Sequence, residues 1–376
     1  MERLILFGGT FDPVHWGHLR IAREASLRYN ADVVFLPNKT PRWKTPGASA
    51  SDRLAMLRLA LEEDGSSSFR IDDRELKRPN DVSYTIDTIR EYRKKYPHYE
   101  LYFLMGADEV NLFPKWKDPE EIANNAHLIY SGRPQETIDP KIIQKYHFES
   151  LEFEGSGEVS SSAIRSLHSV DVPSKVLSYI EEHQLYFIPK VHAYLKERRF
   201  QHSLSVAHVA YAIASTNHLP DPGRAYIAGI LHDIGKELPY DRSKAILKEA
   251  YPEYEDYPSF SWHQFTGAYL AEHDFDIKDQ SILDAILYHC TGKAHMAPLL
   301  KIIFSADKIE PTRGYDSSAL IKACLKDYYV GFLKVIQENA KFLDMKGGKD
   351  STELSRECYA EYLNPAGDKE SIRNLV

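Results

Sequence analysis

The chain has 376 residues, of which 43% are hydrophobic and 27% are charged, a composition that supports two hydrophobic cores. The formal net charge of −8 is spread over both halves, which argues against a sequence-independent nucleic-acid surface. No uninterrupted apolar run approaches the roughly 20 residues that cross a bilayer. The predicted strand directly at the N-terminus leaves no room for a signal peptide. The three cysteines form no Cys-x-x-Cys pair, so we expect a reduced, cytoplasmic protein. From the charge and the absence of a long apolar run, we expect neither nucleic-acid nor membrane partners.

The first half alternates predicted strands and helices. Short apolar runs predict strands at residues 4–7, 33–36, 101–105 and 128–130. Helices are predicted at residues 85–95 and from a cap at Ser51 or Asp52 through Leu61. This alternation predicts a Rossmann-like α/β fold, a parallel sheet with helices on both faces, in which ligands bind at the carboxyl ends of the strands.

The pattern changes near residue 187, and from Val191 onward helical spacing dominates with no convincing strand. We therefore expect two domains, residues 1–187 and 188–376, the second of them all-α. A weakly amphipathic stretch at residues 354–363 predicts either a docked helix or a mobile tail.

The turn after the first strand carries Gly8, Gly9, His15 and His18, followed by a helix that begins near Gly17. The two glycines allow backbone N–H groups to approach a ligand closely, and the start of a helix is a ready anion site. The histidines are three residues apart, so both can donate hydrogen bonds to phosphate oxygens and stabilise charge during transfer. Two surface histidines on an ordinary turn are the alternative, which the crowding of glycines and histidines disfavours.

Three later features suit the same site. Asp108 follows a strong strand and can hold ribose hydroxyls or a metal, although a helix cap is its simpler explanation. Trp116 can stack on a flat ring, although an isolated Trp more often belongs to a core. Ser162 and Arg165 lie in a capped helix start that can bind a triphosphate, and simple capping is the alternative.

The Gly-Gly-Thr-Phe-Asp-Pro run with His-x-Gly-His resembles the nucleotidylyltransferase superfamily. With Ser83-Tyr84-Thr85, Gly106-Ala107-Asp108, Pro114-Lys115-Trp116 and Ser160-Ser161-x-x-Ile164-Arg165, residues 1–187 resemble bacterial nicotinate mononucleotide adenylyltransferases. The chain departs from that family at Pro41-Arg42-Trp43-Lys44, where the family usually has Pro-Pro-His-Lys, and it keeps the lysine.

This resemblance implies transfer of AMP from Mg²⁺-bound ATP to nicotinate mononucleotide, with pyrophosphate as the leaving group and His15 and His18 as catalytic residues. The residues that it implies for ATP are Gly8, Gly9, Thr10, His15, His18, Lys44, Asp108, Ser162 and Arg165. The residues that it implies for the nicotinate nucleotide are Thr85, Trp116 and Arg133.

The second half is organised around an apolar stretch that contains His232 and Asp233. Burying this pair in a helix is costly unless it is paired or bound to metal. Further candidate ligands are His202, His263, His289 and Asp307. Imidazole and carboxylate groups suit Mn, Fe or Zn. A helical bundle with scattered surface histidines is the alternative, which the ordered series of ligands disfavours.

This series resembles the HD-domain metallophosphohydrolases, and most of all the bacterial YqeK family, which splits diadenosine tetraphosphate symmetrically. The shared motifs include Arg199-Phe200-Gln201-His202, Leu231-His232-Asp233-Ile234-Gly235-Lys236 and Ala306-Asp307-Lys308-Ile309-Glu310-Pro311 with Arg313. The resemblance implies one or two metals, the first held by His202, His232, Asp233 and Asp307, and the second by His263 and His289 with Asp233 bridging. Asp233 and Lys236 would be catalytic, and Lys236 and Arg313 would neutralise the phosphate chain.

Other functions remain open for each half. The first half is alternatively another adenylyltransferase of the superfamily, such as the phosphopantetheine enzyme. The second is alternatively a different nucleotide or cyclic-dinucleotide phosphodiesterase, or a catalytically silent HD module that binds nucleotides and regulates the first half.

Overall fold

The computed structural model of the chain describes residues 2–39, 45–79, 83–132, 137–153, 159–345 and 352–363. Lys44 and Arg133, two of the predicted ligand-binding residues, lie outside these ranges. Packing divides the chain into two compact units, with the division between Ile188 and Pro189.

The first unit is built on a parallel six-stranded sheet with the spatial order β3-β2-β1-β4-β5-β6. The strands are β1 Arg3–Gly9, β2 Asp32–Pro37, β3 Phe69–Ile71, β4 Glu100–Gly106, β5 His127–Ser131 and β6 Glu149–Ser150. The strand order reverses direction beside β1, and this is where open α/β sheets bind ligands. The predicted α/β class is confirmed.

Nine helices of this unit surround the sheet in the described ranges. They are α1 Trp16–Tyr29, α2 Ala50–Asp64, α3 Arg74–Lys77, α4 Thr85–Lys95, α5 Ala107–Val110, α6 Pro119–Asn125, α7 Pro140–Tyr146, α8 Ser161–Arg165 and α9 Ser174–Glu182. Leu4 and Leu6 of β1 pack with Ile86 and Ile89 of α4 in one buried cluster. Because neighbouring residues of a strand point to opposite faces, Phe7 lies on the other face, where its ring centroid is 5.4 Å from that of Phe35. Both faces are therefore buried, as in other parallel sheets.

The start of α2 differs from the prediction. Ser49 is the capping residue, with extended backbone and a hydroxyl that accepts a hydrogen bond from the N–H of Asp52 at 3.1 Å. Asp52 already lies in the first turn, where its negative charge faces the positive end of the helix. The predicted cap at Ser51 or Asp52 was therefore wrong by two or three residues.

The second unit is helical, and its described residues contain no strand. Helix α10, Ile188–His192, begins one residue before the division. The helices that follow are α11 Glu197–Thr216, α12 Gly223–Leu231, α13 Tyr240–Ala250, α14 Trp262–His273, α15 Gln280–Leu287, α16 Pro298–Ile309, α17 Ser318–Lys326, α18 Tyr328–Met345 and α19 Glu353–Leu363. Helix α19 is docked, because Cys358 and Tyr362 are buried and the Tyr362 hydroxyl accepts from the N–H of Met296 at 2.8 Å. Across the described ranges, no helix is both long enough and apolar enough to span a membrane.

Candidate active sites

A cavity of about 380 Å³ lies at the carboxyl ends of the central strands of the first unit. Gly8 and Gly9 end β1, Gly106 ends β4 and Ser131 ends β5, and all four line the cavity. Gly8 pairs in register with Leu36 of β2, and Gly106 pairs with Ser131. A Cβ atom at Gly8 would lie 2.8 Å from the Phe103 ring, so a larger residue does not fit there without movement of that ring.

Most of the residues that the sequence predicted for ATP meet in this cavity. It is lined by Gly8, Gly9, Thr10, His15, His18, Asp108, Ser162 and Arg165. Thr85 and Trp116 are not among the described residues that line it. Thr85 begins α4, and Trp116 packs against Phe113 with ring centroids 5.3 Å apart. The cavity therefore brings together eight of the nine residues predicted for ATP, and the two described residues predicted for nicotinate lie outside its lining.

His18 is held in one protonation state by its surroundings. Its Nδ1 atom accepts a hydrogen bond from the backbone N–H of His15 at 3.2 Å. Its ring lies 5.1 Å from that of Phe11. Burial lowers the pKa of His18 to about 4, although the Asp108 carboxylate opposes the shift. At neutral pH the ring is therefore uncharged with its proton on Nε2, and this atom remains available to donate to a phosphate oxygen.

We expect the His18 ring to stay neutral when the folded protein is titrated from pH 8 to pH 5. Its pKa of about 4 lies below the unfolded value of about 6.5, so its contribution to stability is complete above pH 6.5 and falls as pH drops towards 4. The measurement is ¹³C-histidine NMR, with His18 assigned by the signal missing from His18→Gln. The same signal should titrate near pH 6.5 in urea, and a similar midpoint in the folded protein would contradict the proposed state.

Arg53 is a site-supporting residue that the sequence did not indicate. It is fully buried in α2 and donates to the carbonyl oxygens of Thr10 at 2.6 Å, Asn38 at 2.9 Å and Lys39 at 2.8 Å. These carbonyls follow β1 and β2 directly, so one guanidinium ties together the two chain segments that leave the sheet beside the cavity.

Asp12 forms a second buried centre. Its carboxylate accepts from the N–H groups of Gly47 at 2.7 Å and Ala48 at 3.1 Å, and from the Tyr186 hydroxyl at 2.9 Å. Arg165 donates to the Asp12 carbonyl at 2.6 Å and lies 3.6 Å from its carboxylate. Arg165 is therefore anchored to the Gly-Gly-Thr-Phe-Asp-Pro turn while it lines the cavity.

The second unit contains a buried cluster of the predicted metal ligands. These are His202 in α11, His232 and Asp233 after α12, His263 in α14, His289 after α15, and Asp307 in α16, and all six are at most 9% exposed. Helix α12 ends at Leu231, so the expected placement of the His-Asp pair inside a helix was wrong. The turn that follows α12 directs both side chains into the cluster.

Six ligand candidates form two overlapping groups. His202, His232 and Asp233 make one group, and Asp233, His263 and His289 make the other, with ligand atoms within 4.8 Å of one another in each. The oxygen Oδ1 of Asp307 adds to the first group, at 3.2 Å from His202 Nε2 and 3.6 Å from His232 Nε2. Asp233 is the member shared by both groups.

Three of the histidines are oriented by the same kind of hydrogen bond to the backbone. Nδ1 of His232, His263 and His289 lies 2.6, 2.8 and 2.7 Å from the carbonyl oxygen three residues earlier. A carbonyl only accepts, so each Nδ1 carries the proton and each Nε2 presents a lone pair to the cluster. His232 Nε2 is buried without a hydrogen-bond partner among the described residues. Converging lone pairs and carboxylates in a buried site fit a divalent metal ion.

His202 is oriented differently, by the fully buried Glu310 carboxylate at 2.9 Å from its Nδ1. Burial alone would lower the pKa of His202, but hydrogen bonds with Asp307 and Glu310 raise it to about 9. Glu310 also accepts from the N–H of Thr312 at 2.7 Å. The role of Glu310 was missed at the sequence level, although it belongs to a motif that was recognised.

Glu310→Gln is expected to weaken metal retention by roughly 10- to 100-fold, the scale for losing a partner that orients a ligand. The amide keeps the shape but removes the charge that holds His202 Nδ1–H. Chelator titration followed by elemental analysis measures the loss. Glu338→Gln, at an exposed carboxylate that pairs with Lys341, is the matched control. Equal retention in the two variants would refute this role of Glu310.

Four cations of the described residues lie beside the cluster. Lys308 Nζ lies 3.6 Å from Asp307 Oδ2 and donates to the His289 carbonyl at 3.2 Å. Arg199 Nη1 lies 2.7 Å from Asp233 Oδ2, and Arg313 forms an ion pair with Asp307. Lys236 Nζ lies 3.1 and 3.2 Å from the two ring nitrogens of His263. The structure thus places the predicted Lys236 and Arg313 beside the cluster and adds Arg199, for which the sequence suggested no separate role.

Two family models match the chain, one described as Cytidylyltransferase-like over residues 6–167 and one as HD domain over residues 199–312. The fold and sites thus define a nucleotidylyltransferase-type α/β domain followed by an HD domain, as the sequence predicted.

The probable nicotinate-nucleotide adenylyltransferase/Ap4A hydrolase of Mycoplasma genitalium is 31% identical over 353 residues, covering 90% of this chain and 99% of that protein. The protein of the same name from Mycoplasma pneumoniae is 32% identical, covering 87% of this chain and 96% of that protein. A probable nicotinate-nucleotide adenylyltransferase of Listeria monocytogenes is 39% identical, covering 48% of this chain and 95% of that protein. The chain belongs to the family of the two Mycoplasma proteins.

Proposed function

We propose that the chain is a bifunctional enzyme with one activity in each unit. The first domain, residues 1–187, transfers AMP from ATP to nicotinate mononucleotide and gives nicotinate adenine dinucleotide and pyrophosphate. The second, residues 188–376, hydrolyses diadenosine tetraphosphate to two ADP. Membership in the family of the two Mycoplasma proteins supports this pair of substrates.

The observation that carries the transferase is the convergence of His15, His18 and the glycine turn on one cavity at the sheet edge. In the proposed reaction the acceptor phosphate attacks the α-phosphorus of ATP in line as the bond to pyrophosphate breaks. The neutral His18 donates its Nε2 proton as a hydrogen bond to an oxygen whose negative charge grows in the transition state. Ser162 and Arg165 hold the outer phosphates, and Asp108 holds the ribose. ATP carries Mg²⁺, which screens the charge of its phosphates.

An acceptor screen tests the transferase proposal. The purified chain with ATP and Mg²⁺ is offered nicotinate mononucleotide, nicotinamide mononucleotide and phosphopantetheine, and pyrophosphate release is measured. We expect the highest kcat/KM with nicotinate mononucleotide. Preference for phosphopantetheine would favour the other adenylyltransferase of the superfamily. Binding of the nicotinate moiety by Thr85, Trp116 and Arg133, and of ATP by Lys44, remains a proposal from the family resemblance.

The observation that carries the hydrolase is the pair of buried ligand groups that share Asp233. We propose that these groups hold one or two ions of Fe, Mn or Zn. A divalent ion bound there supplies a Lewis acid that lowers the pKa of water and withdraws charge from phosphate oxygens. The chain's own residues orient this chemistry: three carbonyls and Glu310 fix the imidazoles, and Lys236 and Arg313 neutralise the phosphate chain.

A product assay tests the hydrolase proposal. Diadenosine tetraphosphate is incubated with the metal-loaded protein, and nucleotides are separated by chromatography. ADP as the sole nucleotide product is expected, because holding the inner phosphates against the cluster fixes cleavage at the middle of the chain. Equal amounts of AMP and ATP would contradict symmetrical cleavage. No product with metal present would favour a binding module or another phosphodiester substrate.

A further inference from the structure

Two large aromatic side chains next to the metal-ligand cluster are left exposed to solvent. Phe260 is 45% exposed and Tyr315 is 51% exposed. Single exposed apolar residues are common on protein surfaces and need no explanation by themselves. These two differ because each has a hydrogen bond at the edge of the cluster, on the side of a different ligand group. The Phe260 carbonyl bonds the ligand His263, and the Tyr315 hydroxyl bonds the carbonyl of Lys308, the residue after the ligand Asp307.

Phe260 is fixed beside the second ligand group. Its carbonyl oxygen accepts a hydrogen bond from Nδ1–H of His263 at 2.8 Å, which ties the backbone of Phe260 to this imidazole. Lys236 Nζ lies 3.1 Å from the same imidazole. On this side an exposed aromatic residue and a cation therefore both contact one ligand histidine.

Tyr315 is fixed beside the first ligand group. Its hydroxyl donates to the carbonyl oxygen of Lys308, the residue that follows Asp307. Arg313 pairs with the Asp307 carboxylate and donates through Nε to the Asp307 carbonyl at 2.7 Å. This side therefore has the same composition as the other, an exposed aromatic ring, a cation and a ligand residue.

Followed through their contacts, these residues occur in a similar order on both sides of Asp233, which belongs to both ligand groups. Phe260 and Lys236 contact His263 of one group, and Arg313 and Tyr315 contact Asp307 of the other group and the residue after it. Two further cations, Arg199 beside Asp233 and Lys308 beside Asp307, add positive charge near the centre. A dinucleoside tetraphosphate has the matching order: base, phosphates, central bridging oxygen, phosphates, base. Cations complement the phosphates on either side of the centre, and aromatic rings offer stacking surfaces to the bases.

We propose that Phe260 and Tyr315 stack on the two nucleobases of a dinucleoside tetraphosphate, one at each end, and thereby centre the phosphate chain on the cluster. This inference rests on the proposed hydrolase function and adds the residues that select a substrate with two bases. Tyr315 is already restrained through its hydroxyl, so stacking on its ring costs little additional ordering. Centring by two equivalent contacts also gives a physical reason for symmetrical cleavage.

Alanine substitution at each ring tests the proposal. Phe260→Ala and Tyr315→Ala should each raise KM for diadenosine tetraphosphate about 10-fold, within the range for losing one stacked base, while kcat changes less than about 3-fold. The Ki of inorganic tetraphosphate as a competitive inhibitor should stay at the wild-type value, because this probe has no base. Phe260→Trp keeps a ring and should retain the wild-type KM. Tyr315→Phe keeps the ring but loses the hydroxyl that restrains it, so its KM should rise less than that of Tyr315→Ala.

Tyr329→Ala is the matched control, because Tyr329 is 44% exposed in the same unit and contacts Lys301 rather than a ligand residue. Wild-type KM values in Phe260→Ala and Tyr315→Ala would overturn the inference while leaving the hydrolase function intact. A parallel rise in the Ki of tetraphosphate would also overturn it, since the rings would then support the phosphate site instead of the bases. If the wild type itself does not cleave the substrate, the proposed function fails and this inference fails with it.

Discussion

Asp233→Ala is expected to remove bound metal and to reduce hydrolysis of diadenosine tetraphosphate at least ~100-fold, because even an orienting partner of a ligand contributes 10- to 100-fold to metal affinity. Asp233 is the member common to both ligand groups, so its loss affects both positions at once. The substitution also leaves the partly exposed Arg199 without its partner at 2.7 Å, which adds an uncompensated positive charge at the edge of the cluster. Elemental analysis and the hydrolysis rate are measured on the same preparation.

Two controls separate this effect from unfolding. Adenylyl transfer by Asp233→Ala should equal that of the wild type, because the ligands of the cluster all belong to the second unit. Asp241→Ala, at an exposed carboxylate in the first turn of α13, should keep both metal and hydrolysis. Retained hydrolysis in a metal-free Asp233→Ala protein would rule out the proposed metal dependence.

His18→Ala should lower kcat for adenylyl transfer by at least ~100-fold, the scale for removing one hydrogen-bond donor to a transition-state oxyanion. The imidazole lines the cavity, its Nδ1 is occupied by the N–H of His15, and only Nε2 is left to serve the substrate. KM for both substrates should change less than kcat, because the donor matters most as charge develops. Steady-state pyrophosphate release provides both parameters.

His98→Ala is the comparison, since His98 is an exposed histidine of the same unit and is not among the residues that line the cavity. Hydrolysis of diadenosine tetraphosphate should be the same in both variants and in the wild type. A folded His18→Ala protein with wild-type kcat would show that this imidazole does not stabilise the transition state.

The elements that could be predicted from the sequence are those whose signal is local. The four strands found in advance have continuous apolar runs, whereas β3 and β6 have only three and two residues in the sheet and carry no such run. Helix α4 was predicted with its observed bounds, because its apolar spacing is regular. The glycine turn could be recognised because glycines and histidines crowd a single turn, and the His-Asp pair because it interrupts an apolar stretch. Packing alone explains neither pattern.

The residues that were missed act through tertiary contacts. Arg53 resembles any solvated arginine of a helix, and only the fold brings the carbonyls of Thr10 and Asn38 to its guanidinium. Glu310 meets His202 across 108 positions of sequence, a pairing that neither helical nor strand periodicity encodes. Arg199 pairs with Asp233 because the turn after α12 brings this carboxylate close to α11. In each case the sequence contained the charged residue but not the identity of its partner.

The hydrogen bond from Tyr186 to Asp12 determines where the chain can be dissected. Tyr186 lies 174 positions after Asp12, close to the end of the first unit, and its side chain also lies next to Gly47. A separately expressed transferase that stops before Tyr186 would leave the buried Asp12 carboxylate one donor short and open space beside the Gly-Gly-Thr-Phe-Asp-Pro turn. A protein that ends at Ile188 keeps this donor. Moving the end point by a few residues therefore decides whether the nucleotide cavity stays intact.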